Sequence, residues 1–510
     1  MDKILKNITL IMTTIIFITI LLFSFFYDSN VYYHDNTVLS IIFSIITMFI
    51  WLIIYMFINK KIKNITRKNG MIFLIIYFII VSIIQCIVLK QLSVTPGWDF
   101  GVVFSHAESY ALNGVKSVSY PEYFQLFPNN IMLFILSVIF IKLGLIFNIK
   151  PLFSVYILNI LFIDLSLLLL YLTIKKMKDR KSAIFGLILS FSFLPLFLYT
   201  PIIYSDTLSL FIPILFVYLY LNIDREEVLT KKNIALFVLV GILLFFGKEI
   251  KITSLIIFIA IIIDYLIKNF KIKKFIPVIT SFTIFLVCEL SFKVLIVNNN
   301  AFQFKVNDSG SIPISHWIMM GVEDIDKDNS SRNSYGGYNE SDYNETKKYS
   351  TNEEKVKYNI NEFFSRVKKM GFIGYSNYLA HKVVNTWTDG YYFGNVAISI
   401  NPKHKNSKLY RLLLENESTT KIFRALTQGV QYALIIIIIS SCIFNIKKKD
   451  NEHYYIQLAI VGLAIFFLLW ENRSRYIFNY IPIFILIIVE FYNNFKEKVW
   501  NEKCLKVKEK

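Results

Sequence analysis

Long apolar runs recur from one end of this chain to the other, and they constrain its fold more than any other feature. Runs of about 17–23 residues match the length that a helix needs to cross the hydrocarbon core of a bilayer. Of the 510 residues, 55% are hydrophobic, which is more apolar surface than a single soluble core can bury. The sequence therefore predicts an all-α polytopic membrane protein with about 12–13 transmembrane helices.

The apolar runs also predict the topology. The candidate spans are residues 8–26, 38–59, 71–90, 130–147, 152–174, 183–200, 207–223, 234–247, 252–268, 276–298, 429–446, 455–470 and 476–493. Clusters of Lys and Arg at 60–68, 175–178, 231–232, 271–274 and 447–449, and in the C-terminal tail, belong in the cytoplasm by the positive-inside rule. Thirteen full crossings would leave the basic tail outside, whereas twelve satisfy every basic loop. We therefore expect that one of the two runs between 130 and 174 does not cross fully.

The formal net charge of +18 has the same origin. The Lys and Arg residues lie in short loops between apolar runs, where they fix the orientation of the helices. No basic patch falls on a soluble domain, so the charge does not indicate nucleic-acid binding.

The runs divide the chain into four regions. These are an N-terminal transmembrane hairpin with a cytoplasmic loop (1–70), a transmembrane module with a first outer loop at 91–129 (71–298), an extracytoplasmic loop region (299–428), and C-terminal transmembrane helices with a basic tail (429–510). Within the loop region, apolar residues recur at helical spacing at Val356, Ile360, Phe363, Phe364 and Val367. They predict a helix over 353–369 that lies on the membrane surface.

The first outer loop contains the most informative acid, Asp99, in the segment Pro96-Gly97-Trp98-Asp99-Phe100. A carboxylate beside a membrane span costs free energy unless it has a role. One interpretation is a general base or a metal ligand, and the other is the N-cap of a helix that follows. Glu108, nine residues later, is a second acidic candidate for binding an acceptor or a metal, or else a solvated surface charge.

Three further candidates fall on predicted outer segments. Asp206, at the outer end of a hairpin, is either an acceptor or metal ligand or a helix cap. Lys248 places a cation against the usual charge rule, which favours phosphate binding, although snorkelling to the interface explains it equally well. His316 is a candidate metal or phosphate ligand, but a lone histidine is more often structural.

The segment Glu471-Asn472-Arg473-Ser474-Arg475-Tyr476 places two arginines in a short outer turn. Arginine presents a fork of donors that suits phosphate. The alternative is that these arginines pair internally with Glu471 or with another acid.

Together these motifs resemble the GT-C superfamily of integral-membrane glycosyltransferases, the group of the protein O-mannosyltransferases and aminoarabinose transferases. The resemblance rests on Asp99 after a span, on Phe127-Pro128 before the next apolar run, on the second outer acid Asp206, and on the turn at 471–476. It covers most of the chain from about residue 71. The chain departs from the protein mannosyltransferases at Phe100, where those enzymes have a second acid.

The resemblance implies transfer of a sugar from a polyprenyl-phosphate donor to an envelope glycan, lipid or protein at the extracytoplasmic face of the cell membrane. It implies inversion at the anomeric carbon with Asp99 as general base, and binding of the donor phosphate by Lys248, Arg473 and Arg475. A divalent metal ion near Asp99 is compatible with this chemistry, but no ligand spacing supports one. The alternatives are a polysaccharide polymerase and a lipid-linked oligosaccharide flippase, and a flippase would place its charges along a central path.

Overall fold

The computed structural model describes most of the chain as helices. The described residues are 2–29, 34–61, 65–114, 122–224, 227, 229–268, 275–299, 302, 304, 306, 310–322, 335–446 and 453–508, with side chains up to 496. Nine helical segments in this part of the chain are long and apolar enough to cross a membrane, and no β-strand occurs in it. The predicted all-α polytopic fold is confirmed.

The described part of the chain contains 22 α-helices. They are α1 (Asp2–Phe23), α2 (Thr37–Lys61), α3 (Arg67–Leu92), α4 (Trp98–Asn113), α5 (Tyr123–Leu126), α6 (Ile131–Ile146), α7 (Pro151–Met177), α8 (Arg180–Ser190), α9 (Pro195–Leu198), α10 (Ser205–Leu208), α11 (Phe211–Tyr220), α12 (Lys231–Ile250), α13 (Ile256–Lys268), α14 (Phe275–Phe292), α15 (Ile314–Met320), α16 (Glu340–Lys347), α17 (Asn352–Trp387), α18 (Gly394–Ile400), α19 (Lys408–Tyr410), α20 (Glu417–Ile446), α21 (Tyr455–Leu469) and α22 (Ile481–Lys508). Short 3₁₀ segments at Pro128–Asn130, Ile252–Leu255 and Ser474–Tyr480 precede α6, α13 and α22.

The apolar helix α6 has the composition of a span, but both of its ends lie on the same side of the bundle. We call this side, opposite the basic loops, the outer face. At the start of α6, the Asn130 amide donates to the Tyr123 hydroxyl at 2.7 Å. At its end, Gly144 packs against the first turn of α7. Tyr156 in that part of α7 donates to the Val94 carbonyl, just beyond the outer end of α3, at 3.4 Å. Helix α6 therefore does not connect the two faces.

Helix α7, in contrast, reaches the basic face. Arg180, three residues after α7 ends, donates to the Ile65 carbonyl before α3 begins, at 3.1 Å. With α6 set aside, the crossings are α1, α2, α3, α7, α8 with α9, α10 with α11, α12, α13, α14, α20, α21 and α22. Among the described residues, this order of twelve crossings returns to one face the helix ends that flank the basic loops. The extra apolar run is thus the one at 130–147.

The outer region between α14 and α20 is built around α17. A capping box starts this helix, since the Thr351 hydroxyl accepts from the Glu354 amide and the Glu354 carboxylate accepts from the Thr351 amide. The helix predicted over 353–369 is observed within α17. The second half of α17 packs against α1, where the Trp387 and Phe17 ring centroids are 5.1 Å apart. The outer region is therefore fastened to the transmembrane bundle.

Candidate functional site

Helix α4 begins with an unusual turn that positions Asp99. Its N-cap is Gly97, which makes no side-chain cap, and Trp98 then adopts a left-handed conformation with φ of 51°. The half-buried Asp99 carboxylate does not cap the helix. Its two oxygens instead accept hydrogen bonds from the Tyr123 and Tyr204 hydroxyls, each at 2.8 Å. The N-cap interpretation of Asp99 is therefore wrong.

These two tyrosines act as fixed donors to Asp99. Burial raises the pKa of both phenols, and the negative charge of Asp99 raises it further. They remain protonated at neutral pH and orient the carboxylate. Because a carboxylate oxygen has two acceptor positions, each Asp99 oxygen retains one for a further proton or hydrogen bond.

Arg475 joins Asp99 to the second outer acid. Its guanidinium carbon lies 4.2 Å from the centroid of the Tyr204 ring, the residue that donates to Asp99. One of its nitrogens is 3.6 Å from Asp206 Oδ2, while the Lys251 ammonium contacts Asp206 Oδ1. Asp206 is fully buried between these two cations. Arg475 therefore pairs with another acid, Asp206, among the alternatives that the sequence left open.

The outer region fixes the backbone of the turn at 471–475. The Glu471 amide donates to the Trp317 carbonyl of α15 at 2.9 Å. The Asn472 side chain accepts from the Thr386 hydroxyl at 2.6 Å and donates to the Lys382 carbonyl at 3.0 Å, both in α17. The turn is thus held between α15 and the second half of α17, the half that packs against α1.

Asp389 supports the same turn and was missed by sequence reasoning. Its buried carboxylate accepts from the Ser474 hydroxyl at 2.6 Å and from the Tyr391 and Phe393 amides at 3.0 and 2.9 Å. An acid within the aromatic stretch 387–393 was the available signal, because a buried carboxylate requires partners. Through Ser474, Asp389 fixes the backbone between Arg473 and Arg475.

Arg473 points elsewhere and keeps its donors available. Its guanidinium carbon lies 5.1 Å from the centroid of the Phe393 ring, and the Trp98 ring centroid is 6.3 Å from that of the same Phe393. Among the described residues, no carboxylate oxygen lies within 4.0 Å of its guanidinium nitrogens. Trp98 is 48% exposed. Asp99, Trp98 and Arg473 thus border one partly open site, which we call the Asp99 site.

Comparison with known proteins identifies the family. Residues 1–494 match the model of a family described as "Conserved hypothetical integral membrane protein". This chain belongs to that family. The description agrees with the polytopic helical fold and specifies no activity. The comparisons with curated proteins and with solved structures each found no match.

In this integral membrane protein, Lys248 does not join the Asp99 site. Its ammonium contacts the Glu249 and Glu289 carboxylates at 2.5 and 2.6 Å. The lysine that approaches Arg475 is Lys251, which contacts Asp206. Lys248 and Lys251 are only three residues apart, and the packing of α12 reveals which carboxylates each of them contacts.

Glu108 and His316 also lie apart from Asp99. Nine helical residues separate Glu108 from Asp99, about 13 Å along the axis of α4. His316 is fully buried in the outer region, where its Nδ1 is 2.8 Å from the Thr346 hydroxyl. Burial and the charge of Arg366 lower the pKa of His316 to about 4, so its ring is neutral at pH 7.

The sequence also left open a divalent metal ion near Asp99. In the part of the chain that the structure describes, no group of three or more His, Cys, Asp or Glu side chains is arranged to hold a metal ion. The hydroxyls of Tyr123 and Tyr204 contact the Asp99 carboxylate.

Proposed function

We propose that this protein is a membrane glycosyltransferase. It transfers a sugar from a polyprenyl-phosphate donor to a cell-envelope acceptor at the extracytoplasmic face. The observation that carries this proposal is the convergence of a tyrosine-bound carboxylate, Asp99, with two arginines of different roles, Arg473 and Arg475. A carboxylate and cations in one cleft are the groups that this reaction requires.

Asp99 serves as the general base. It accepts the proton of an acceptor hydroxyl while that oxygen attacks the anomeric carbon, and the bond from the anomeric carbon to the phosphate oxygen breaks. Attack opposite the leaving group inverts the anomeric centre. The products are the glycosylated acceptor and polyprenyl phosphate, and the proton passes from Asp99 to solvent. The hydrogen bonds from Tyr123 and Tyr204 hold the carboxylate in the orientation for this step.

Arg473 is the group that receives the leaving phosphate. It is half-buried and has no carboxylate partner among the described residues, so binding a phosphate breaks no existing ion pair. Arg475 contacts Asp206 and the Tyr204 ring. These contacts suit a role in positioning Tyr204, which donates to Asp99. Lys248 is neutralised by Glu249 and Glu289, which makes it the weaker phosphate ligand of the three that the sequence nominated.

Trp98 provides a surface for the sugar ring. Its indole is half exposed immediately before the base, and its left-handed backbone is uncommon for a bulky residue. Backbone strain of this kind persists where the surroundings hold it, and it clusters at active sites. The apolar face of a pyranose can stack on the exposed indole, which places its anomeric carbon between Asp99 and Arg473.

The distribution of charge favours a transferase over a flippase. The acids and bases named above as candidates cluster at the outer face, and two of the acids, Asp99 and Asp206, are connected there through Tyr204 and Arg475. Within the crossings, Asp164 in α7 accepts a hydrogen bond from Gln85. Asp264 in α13 pairs with Lys268. These acids are held by partners, whereas a translocation path requires charged groups that a moving lipid headgroup can reach. A polymerase uses the same bond-forming chemistry, so the length of the product distinguishes it.

The experiment compares envelope glycans from cells that lack the protein with those from cells that express the wild type or variants. Wild-type protein is expected to restore a sugar component that the deletion removes, and Asp99→Asn is expected not to restore it at an equal level of membrane insertion. Asp164→Asn is the matched control, because it is the same substitution at an acid in α7, away from the Asp99 site. There Asp164 accepts a hydrogen bond from the Gln85 amide at 2.8 Å. Full restoration by Asp99→Asn would overturn the proposal. Growth of a long chain, rather than addition of single sugars, would identify a polymerase.

A further inference from the structure

The first half of α17 directs three polar side chains inward. Lys355, Asn359 and Arg366 are buried. Arg366 donates to both oxygens of Asp342 in α16 at 2.8 and 2.6 Å, and Asn359 donates to the Ser315 hydroxyl at 3.2 Å. This face packs against α15 and α16. The opposite face of α17 is therefore the one that these two helices leave uncovered.

That uncovered face is apolar. Ile360 and Phe364 on this face are 45% and 64% exposed, and Phe372 and Ile373, which follow the break in the helix at Gly371, are 88% and 84% exposed. A helix with inward charges and outward aromatic groups does not match contact with water on its outer side. We call these four residues the α17 apolar face.

Exposed lysines flank the same surface. Lys357 lies beside Ile360, and Lys368 lies one turn beyond Phe364. Phe372 and Ile373, which we call the tip of the α17 apolar face, follow one turn later. A helix that combines an apolar face with flanking lysines is typical of segments that lie in the plane of a membrane interface. Such lysines interact favourably with anionic headgroups.

The position of the tip relative to the bundle supports this placement. Asn377 accepts a hydrogen bond from Tyr27, which follows the outer end of α1, at 2.5 Å. Phe372 precedes Asn377 by five residues, about 7.5 Å along a helix. Between the two halves of α17, Gly371 has φ of 64°, and open space surrounds its Cβ position. The helix therefore turns just above the outer end of a transmembrane span.

We propose that the α17 apolar face inserts into the outer leaflet of the membrane that the bundle spans. Phe372 and Ile373 enter the boundary between headgroups and acyl chains, while Lys357 and Lys368 contact anionic headgroups. This in-plane anchor holds the outer region against the bilayer. The inference stands on α17 alone and does not depend on the proposed transferase activity.

The test measures the depth of Phe372 in a bilayer. The four cysteines are replaced in the full-length chain, and Phe372→Cys is labelled with an environment-sensitive fluorophore. The protein is placed in nanodiscs that contain phosphatidylglycerol, with or without a lipid that carries a quencher near the headgroup. A blue-shifted emission and at least a twofold loss of intensity with the quencher lipid are expected.

Asn344→Cys provides the matched control. Asn344 is exposed on α16, the helix that packs on the polar side of α17, so its label is expected to emit as in water and to remain unquenched. Water-like, unquenched emission at 372 would overturn the anchor. A blue shift without lipid quenching would also overturn it, because the face would then be covered by protein, such as a second copy.

A charge variant tests the lysines. Lys368→Glu is expected to reduce the quenching at position 372 in phosphatidylglycerol discs by about half and to leave it unchanged in phosphatidylcholine discs. Equal quenching of the two proteins in phosphatidylglycerol would overturn the role of anionic headgroups. The exposed position of Lys368 makes this substitution compatible with folding.

Discussion

Two arginine–aspartate pairs in this protein show how differently the same residue types are used. Arg366 and Asp342, in the outer region, form a buried bidentate pair at 2.8 and 2.6 Å, and Arg366 also donates to the Glu362 carboxylate. Arg475 and Asp206, beside the Asp99 site, approach only to 3.6 Å. Arg475 Nε and Asp206 Oδ2 make no hydrogen bond there although both atoms are buried.

The difference separates a saturated pair from one whose hydrogen bonding is incomplete. A saturated buried pair stabilises a single arrangement, and removing one partner leaves an uncompensated charge. A buried polar group without a hydrogen bond is uncommon in proteins, and Arg475 Nε and Asp206 Oδ2 are two such atoms. The incompletely satisfied pair is the one that lies next to Asp99, through the Tyr204 ring.

The largest expected effect is on stability, at the saturated pair. Arg366→Ala leaves Asp342 buried without its partner and is expected to lower the free energy of unfolding by about 3–5 kcal/mol. Chemical unfolding in detergent, followed by fluorescence, measures this. A loss below about 1 kcal/mol would show that the Arg366–Asp342 pair does not stabilise the outer region, and the contrast with the Arg475–Asp206 pair would fail.

The next effect is on activity alone. Arg473→Gln is expected to lower the transfer rate by about 10²–10³, the effect of removing one preorganised donor from a developing negative charge. Its stability is expected to change by less than about 0.5 kcal/mol, since a surface group without strong partners contributes little. A reconstituted transfer assay with membrane-extracted lipid-linked sugars measures the rate.

Lys248→Gln is the control for Arg473. Because Lys248 contacts Glu249 and Glu289 rather than the Asp99 site, the variant is expected to keep the wild-type transfer rate. A loss as large as that of Arg473→Gln would restore Lys248 to the phosphate site that the sequence assigned to it.

The outer region is also expected to respond to pH through His316. Its folded-state pKa of about 4 is below the ordinary value of 6.5, so the unfolded chain binds the proton more readily. The contribution of neutral His316 to stability is therefore complete above pH 6.5 and is lost as the pH falls towards 4. The slope is at most about 1.4 kcal/mol per pH unit. Unfolding of His316→Asn across this range should show a shallower dependence, and an unchanged slope would contradict the assignment.

The smallest expected effect concerns Trp98. Trp98→Ala removes the ring face offered to the sugar and is expected to raise KM about three- to tenfold, from roughly 0.5–1.5 kcal/mol of lost stacking. Trp98→Phe should recover most of the loss, because an aromatic ring remains. If Trp98→Ala keeps the wild-type KM, the sugar does not stack there.

Much of the fold could be predicted from the sequence because bilayer thickness and charge placement are encoded along the chain. Apolar run lengths predicted the helices, and the basic loops required one run between 130 and 174 not to cross. The helix over 353–369 followed from its spacing. Sequence could not select α6 as the non-crossing run, since only the contacts of Asn130 and Gly144 reveal where its ends lie.

The site was predictable in outline and not in detail. Charged residues in outer segments are costly enough to stand out, so Asp99, Asp206 and both arginines were named. Their partners could not be inferred, because Tyr123, Tyr204 and Lys251 come from distant parts of the chain and are common residue types in such segments. Asp389 was missed for the same reason, since its role depends on a contact with Ser474, 85 residues away.

The most direct test of the Asp99 site is the transfer rate of purified Asp99→Asn protein in proteoliposomes. The substitution keeps the shape of the side chain and removes its ability to accept the acceptor proton. Transfer is expected to fall by about 10²–10⁴, while a cooperative unfolding transition in detergent is retained with a loss of about 1–3 kcal/mol, because the amide leaves one of the two tyrosine hydroxyls without an acceptor. A folded Asp99→Asn protein that transfers sugar at the wild-type rate would contradict the account.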